Sequence, residues 1–140
     1  MTKTNFYVTP GFGETMRKDM HYSQAVRVGN RVETSGQPGW DENCAFPDLL
    51  EDEIRFAFDN VERALAAAGA TWPDVIAVNS YHVPESPDYI GDTHGRVMVE
   101  QFRERMGDRA PIWTEIGVPA LGERRMRVEI RVTAIVDSTS

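Results

Sequence analysis

The sequence contains few of the residue types that cross-link or metallate small proteins. Cys44 is the only cysteine among the 140 residues, so no disulfide can form within the chain, which fits a reducing compartment. It lies in a polar segment without a paired base, and we therefore predict no nucleophilic role for it. The three histidines are spaced from nearby carboxylates in no established metal-ligand pattern. We accordingly expect no metal and no other cofactor.

Long hydrophobic runs and an excess of positive charge are absent too. No apolar segment approaches the roughly 18 residues that span a bilayer, and the opening MTKTNFYVTP has no apolar signal core. We therefore expect a cytoplasmic location and no membrane partner. With 22 acidic and 15 basic residues, the formal net charge is -7. An acidic surface repels phosphate backbones, so no nucleic acid partner is expected.

The overall composition is that of an ordinary globular protein, with 41% hydrophobic residues. The length suffices for one hydrophobic core without disulfides or metal ions. We predict a single domain over residues 1–140, with an N-terminal extension at 1–20 and the core at 21–136.

Two segments have helical character. Between residues 49 and 68, apolar side chains recur at the steps of one helical face, and they are Ile54, Phe58, Val61, Leu65 and Ala68. Gly69 follows the last of them, and glycine is typical just beyond the end of a helix. A second helix is predicted over residues 89–106, with an apolar stripe at Val99, Phe102 and Met106.

Other segments have the composition and alternation of β-strands. Gly29 and Asn30 tolerate φ > 0, and they are predicted to join two short strands within residues 25–37 in a tight hairpin turn. Residues 9–20, with a proline and two glycines, are predicted to form a loop. Further strands are predicted at 5–8, 75–83, 112–118 and 126–136. The order β-ββ-α-β-α-ββ predicts an α+β fold, in which two helices pack on one face of a single sheet.

The last predicted strand carries charges at alternate positions. Arg127, Glu129 and Arg131 share one face of it, between apolar residues that share the other. With helices on only one side of the sheet, these charges either face water or line a subunit interface. The sequence leaves both interpretations open.

A weak sign of a binding site follows the hairpin, at Ser35 and Gly36. A hydroxyl next to a residue without Cβ brings backbone N–H groups close to whatever lies beside the strand. The alternative is that the two residues only end the strand. A motif this short decides nothing by itself.

Taken together, the separate motifs resemble the RidA (YjgF-like, reactive intermediate deaminase) family over residues 21–136. The matching segments are Tyr22, VGNRVETSGQ at 28–37, NVERALAAAGATWPDVIAVNSYHV at 60–83, Pro111 and RVEIRVTAIV at 127–136. The resemblance implies a chorismate-mutase-like fold and a homotrimer with small-molecule pockets between its subunits. It also implies that imines and enamines are hydrolysed to a 2-oxo acid and ammonia.

The resemblance also suggests which residues form the pocket. Tyr22, Ser35 and Glu129 are the candidate catalytic residues, and Gly36 borders the pocket. The glutamate of the last strand in this family assists proton transfer.

Four further candidates for substrate binding lie where the chain departs from the family. Trp113 stands where the deaminases have an arginine that binds the substrate carboxylate through two hydrogen bonds. His94 and Arg96 flank Gly95 in the region of the family's pocket asparagine, and they are candidate replacement anchors. Glu115 stands where many members have a small residue or a cysteine.

Two functions therefore remain open. The first is a divergent imine or enamine deaminase whose substrate differs from 2-iminopropanoate and 2-iminobutanoate, because Trp113 offers a flat apolar surface in place of a cation. The second is a non-catalytic trimer that binds a small molecule or a partner protein. In the second interpretation, Trp113 packs in the interface and closes the pocket.

Overall fold

The computed structural model describes residues 3–137, which form one mixed sheet and three helices. The strands are β1 (Thr4–Tyr7), β2 (Ala25–Val28), β3 (Arg31–Thr34), β4 (Gln37–Pro38), β5 (Val75–His82), β6 (Ile112–Gly117) and β7 (Val128–Ile135). The helices are α1 (Phe12–Met20), α2 (Leu50–Ala67) and α3 (Asp92–Met106), and a 3-10 turn covers Trp72–Asp74. The two ends of the predicted domain, residues 1–2 and 138–140, lie outside the described residues.

The strand order is β1-β2-β3-β7-β5-β6, and the short β4 pairs with β7 beyond the end of β3. Only β5 and β6 run parallel, and the connection between them contains α3. The other neighbouring strands are antiparallel. Mixed pairing with helices inserted at three points confirms the predicted α+β class, although the prediction contained two helices.

Helix α2 forms the centre of the core, as its periodicity predicts. Ile54, Phe58, Val61 and Leu65 are fully buried and belong to one cluster with the inward side chains of β7. The helix ends before Gly69, whose φ of +84° is accessible to glycine at little cost. The predicted bounds of 49–68 differ from the observed ones by one residue at each end.

Helix α3 is shorter than predicted, because it begins at Asp92 instead of residue 89. Gly91 precedes it with a φ of +117°, which breaks the helical path. Upstream, the backbone N–H of Ser86 donates to the carbonyl of Tyr89 and closes a separate turn. Tyr89 therefore stands outside the helix, and its hydroxyl donates to the Asp92 carboxylate.

The loop predicted at residues 9–20 is wrong, because Phe12–Met20 forms helix α1. Tertiary contacts override the glycine content of this segment. Phe12 is buried against the Trp40 ring at 5.6 Å. A Cβ on Gly13 would lie 2.4 Å from Oε1 of Gln24, so a glycine lets the helix approach that side chain. These contacts come from residues far along the chain, which local composition does not reveal.

The hairpin between β2 and β3 forms with Val28 opposite Arg31, so two residues make the turn. Gly29 has a φ of +61°, whereas Asn30 does not adopt a positive φ. The prediction that both residues use their tolerance for positive φ is therefore wrong for Asn30. A turn with glycine first needs a positive φ only at that position.

The helices leave one face of the sheet uncovered. On this face, one residue from each of six adjacent strands forms a row across the sheet. In this row the register places Phe6, Val26, Glu33, Thr133, Ala77 and Ile112 side by side. Phe6 and Ile112 at its two ends are 69% and 75% exposed. Large apolar side chains on an uncovered sheet are typical of a surface that associates with another molecule.

Arg127 corrects the prediction that three charges share the outer face of the last strand. It precedes β7, and its Nε donates to Oε1 of Glu53 at 2.6 Å while its backbone N–H donates to Oε2 at 2.7 Å. The Glu53 side chain is completely buried on α2. A buried carboxylate needs such donors, so it holds Arg127 toward the helices. Glu129 and Arg131 remain on the outer side, opposite the buried Ile130.

We predict that Glu53→Ala lowers the free energy of unfolding by about 3 kcal/mol, because it leaves Nε and the backbone N–H of Arg127 without their acceptor. Urea unfolding at fixed protein concentration measures this. Glu62→Ala is the matched control, since Glu62 on the same helix forms an exposed ion pair with Arg105 and its loss costs about 0.5 kcal/mol or less. Similar losses in the two variants would contradict the role given to Glu53.

Candidate functional site

The first group of candidate residues surrounds Gly36, between β3 and β4. A Cβ on Gly36 would lie 2.5 Å from Cδ and 2.8 Å from Oε1 of Glu129. Glu129 reaches this position because β4 pairs Pro38 with Glu129 on the uncovered side of β7. The absence of a side chain at Gly36 therefore lets a carboxyl group lie directly against the backbone. A residue that only ended the strand would not need this close approach.

Tyr22 and Ser35 complete this group. Burial raises the pKa of the Glu129 carboxyl. Burial also raises the pKa of the Tyr22 hydroxyl, and the nearby Glu129 charge adds to that shift. Ser35 Oγ accepts a hydrogen bond from Nε2 of Gln37 at 3.1 Å and lies 3.4 Å from the carbonyl of Gln24, which accepts from it.

An open groove of about 810 Å³ passes along these residues on the uncovered side of the sheet. Tyr22, Ser35 and Gly36 line it, together with two cations that were not among the candidate site residues, Arg17 and Arg131. Arg131 is exposed, and its guanidinium lies 3.7 Å from the Glu33 carboxylate. The groove thus presents a hydroxyl, a phenol and positive charge beside the Glu129 carboxyl.

The second group of candidates lies on the helix-covered side, where β5, β6 and α3 meet. His94 Nε2 donates to the carbonyl of Val83 at 3.2 Å, so its Nδ1 is the acceptor in the neutral ring. His82 Nδ1 lies 2.8 Å from that atom and must donate to it. This leaves His82 Nε2 as an acceptor, and the Ser80 hydroxyl donates to it at 2.7 Å.

Trp113 closes this chain of hydrogen bonds, because its Nε1–H donates to Ser80 Oγ at 2.8 Å. Its ring is partly exposed and packs edge-on against Phe102 at 5.3 Å. Both histidines are buried, and burial is the main reason that their pKa values are lowered. The pKa of His82 falls to about 3. They are therefore neutral at pH 7, as the hydrogen-bond directions require.

Glu115 joins the same group from β6, opposite Ser80. Its Oε2 lies 3.6 Å from His82 Nε2, is buried, and has no hydrogen-bond donor among the described residues. The side chain as a whole is 26% exposed, so the carboxyl group also reaches the surface. Burial raises the pKa of the Glu115 carboxyl.

Arg96 does not join the residues around His94. It lies on the exposed side of α3, two positions from the buried His94, and its charge acts on Glu100. The structure thus brings His94, Trp113 and Glu115 together through Ser80 and His82. It places Tyr22, Ser35, Gly36 and Glu129 together on the other face of the sheet.

Sequence reasoning missed Ser80 and His82 as members of the site. Alternation along the predicted strand places both on the same face as the buried Val78. Buried polar side chains need hydrogen-bond partners, so this pair could have indicated a polar site from the sequence. Among residues 3–137, no three His, Cys, Asp or Glu side chains are arranged to hold a metal ion. Within the same residues, no helix is long and apolar enough to cross a membrane.

Comparison with known proteins agrees with the resemblance found in the motifs. The family model described as Endoribonuclease L-PSP matches residues 14–136. The RutC family protein YjgH of Escherichia coli is 31% identical over 79% of this chain and 81% of its own length. A 2-iminobutanoate/2-iminopropanoate deaminase of Dermatophagoides farinae is 34% identical over 83% of this chain and 86% of its own length.

A solved structure of protein YjgH superposes with a TM-score of 0.77 at 30% identity, covering 94% of this chain and 95% of the other. The range 14–136 that the family model matches includes both groups of candidate residues. The chain belongs to the endoribonuclease L-PSP family, which is the family of RidA and YjgF-like proteins.

Proposed function

We propose that the chain is a homotrimeric deaminase that hydrolyses a reactive imine or enamine in pockets between its subunits. The observation that carries this proposal is the Glu129 carboxyl held against Gly36 and near Tyr22, two residues that line an open groove. The name of the Dermatophagoides farinae relative supports this reaction class. Each pocket would combine the Gly36 side of one subunit with the Trp113 side of its neighbour.

The position of the two groups supports a pocket made by two subunits. Glu129 lies on the uncovered face of the sheet, whereas Trp113 and Glu115 lie on the helix-covered face at the β6 edge. Within one chain the sheet stands between them. Association through the uncovered face, with its exposed Phe6 and Ile112, would bury apolar surface and could bring unlike groups together.

In the proposed reaction, water adds to the carbon of the C=N bond and ammonia leaves. A carboxylate accepts the proton of the attacking water and returns it to the leaving nitrogen. We assign this role to Glu129, whose carboxyl lies against Gly36 at the wall of the groove. Its raised pKa brings proton affinity closer to neutral pH, where a general base works best. The Tyr22 hydroxyl and the Ser35–Gly36 backbone would position the water.

The substrate would differ from the small 2-imino acids that name the deaminase relative. Trp113 Nε1 is engaged by Ser80, so the indole presents its partly exposed ring and no charge. A ring of this kind stacks on a flat or unsaturated substrate, and it does not replace two hydrogen bonds to a carboxylate.

The second candidate function is a trimer that binds a small molecule or partner protein without turnover. The packing of Trp113 against Phe102 and Ser80 favours it, since a firmly held indole can simply fill the space. A nuclease function, suggested by the family description, has less support because the net charge of -7 disfavours RNA binding.

We predict that the protein in solution has three times the chain mass of 15.8 kDa. Light scattering after size exclusion measures this directly. Ile112→Glu places a charge at the exposed end of the apolar row and should shift the mass toward the monomer. A wild-type mass equal to one chain would contradict the intersubunit pocket.

We predict little acceleration of 2-iminopropanoate or 2-iminobutanoate hydrolysis by the wild-type protein and partial recovery by Trp113→Arg, because a guanidinium can bind the carboxylate. The imines are generated by a coupled amino-acid dehydratase or oxidase, and 2-oxo acid release is measured above the buffer rate. Trp113→Leu is the control, since it opens the same space without charge. Rapid turnover by the wild type would show that Trp113 is no obstacle, and inactivity of the arginine variant would favour the binding function.

We predict that two glutamate carboxyls, those of Glu115 and Glu129, titrate above the ordinary midpoint of about 4.3 because both are partly buried, and that Glu129→Gln removes one of these two signals. Carbon-13 NMR of glutamate-labelled protein measures them. Gly36→Ala should lower the Glu129 midpoint, since the added Cβ displaces the carboxyl into water. A titration of Glu129 that Gly36→Ala leaves unchanged would contradict their close contact.

A further inference from the structure

The buried oxygen of Glu115 faces an acceptor instead of a donor. Val83 fixes the proton of His94 on Nε2, and His94 in turn fixes the proton of His82 on Nδ1. His82 Nε2 therefore has no proton and accepts from Ser80, and Oε2 of Glu115 lies 3.6 Å from this acceptor nitrogen. Both atoms are hydrogen-bond acceptors, and no donor from the described part of the chain lies between them. The buried oxygen of the Glu115 carboxylate therefore has no hydrogen bond from these residues to offset its loss of water.

No positive side chain compensates Glu115 either. Burial alone accounts for its raised pKa, with no cation acting on it from residues 3–137. Arg127 is near enough to act on His94, but its guanidinium is bound by Glu53. The hydrogen bond to Asp92 raises the pKa of the nearby Tyr89 hydroxyl, and the Glu115 charge helps to raise it further. The other charges that act on Tyr89 are the carboxylates of Asp92 and Glu85, which are negative as well.

The partly exposed carboxyl of Glu115 lies two residues from the partly exposed indole of Trp113, on the same side of β6. Alternate residues of a strand share a face, so the two side chains border one space. The hydrogen bond from Trp113 to Ser80 and its contact with Phe102 fix the ring there. An aromatic ring beside a carboxylate is the arrangement that binds an ammonium or iminium group.

We propose that Trp113 and Glu115 form a receptor for a cationic nitrogen, a protonated imine or amine, on the β6 side of the pocket. The indole face contacts the cation, and the exposed oxygen of Glu115 accepts its N–H. The chain Ser80–His82–His94 holds Trp113 through Ser80 and gives neither Trp113 nor Glu115 a competing positive charge. A substrate would then be selected by its nitrogen end, with no carboxylate required at this position.

This inference rests on the proposed function in placing these residues at a substrate pocket, and it names the form of the substrate that they bind. The protonated C=N is the form that water attacks most readily. An anionic group beside it favours that form over the neutral imine, because opposite charges attract within a few ångströms.

The test uses n-propylammonium and butyrate, which have similar shapes and opposite charges. Each is added to ¹⁵N-labelled whole protein at pH 7, and the shifts of the three tryptophan indole N–H signals are followed by NMR. Trp113→Phe assigns the signal. We expect propylammonium to shift the Trp113 signal saturably and butyrate to leave it unchanged.

Glu115→Gln keeps the shape of the side chain and removes its charge, so it should weaken propylammonium binding about tenfold. Glu62→Gln, an exposed carboxylate on α2, should leave it unchanged. The dispersion of the amide spectrum shows whether each variant is folded. Preference for butyrate, no response to either compound, or equal binding by wild type and Glu115→Gln would each overturn the receptor.

Failure of this inference and failure of the proposed function are distinguishable. Amine binding without hydrolysis of any imine would keep the receptor and remove the deaminase. Imine hydrolysis without selective amine binding would keep the deaminase and remove the receptor.

Discussion

The packing of α2 on one side of β7 is the constraint on which the rest of the structure depends. The fully buried apolar face of α2 and the alternate apolar residues of β7 form the centre of one cluster. Because side chains of a strand alternate, the same packing commits Glu129 and Arg131 to the opposite face. It also buries Glu53, whose carboxylate then needs the donors of Arg127 at the start of β7.

Two chemically different surfaces follow from that arrangement. The uncovered face has an open groove in which Tyr22 and Gly36 adjoin the raised-pKa carboxyl of Glu129. The covered face encloses a chain of neutral hydrogen bonds from Trp113 to His94. A single chain keeps them apart, and the proposed trimer joins them. The candidate residues that the family resemblance assigned to one pocket therefore need not touch one another within one subunit.

The covered side bears on the proposal that the substrate differs from that of a carboxylate-binding deaminase. An arginine would supply a positive anchor, whereas Trp113 and Glu115 supply an aromatic face and a negative charge. The neutral histidine pair adds no positive charge, since burial holds the pKa of His82 near 3. The aromatic ring and negative charge of Trp113 and Glu115, together with the Gly36–Glu129 contact, motivate the proposed nitrogen-directed substrate.

Local sequence determined the elements whose burial pattern is regular. The spacing of Ile54 and Phe58 gives α2, the alternation along β7 gives its two faces, and separate motifs identify the family. Tertiary structure decided the rest. Helix α1 forms because Phe12 packs on Trp40, and Arg127 turns inward because Glu53 is buried. His82 becomes a member of the site through its hydrogen bonds to Ser80 and His94. The bond to His94 joins two elements, and such bonds leave no trace in local periodicity.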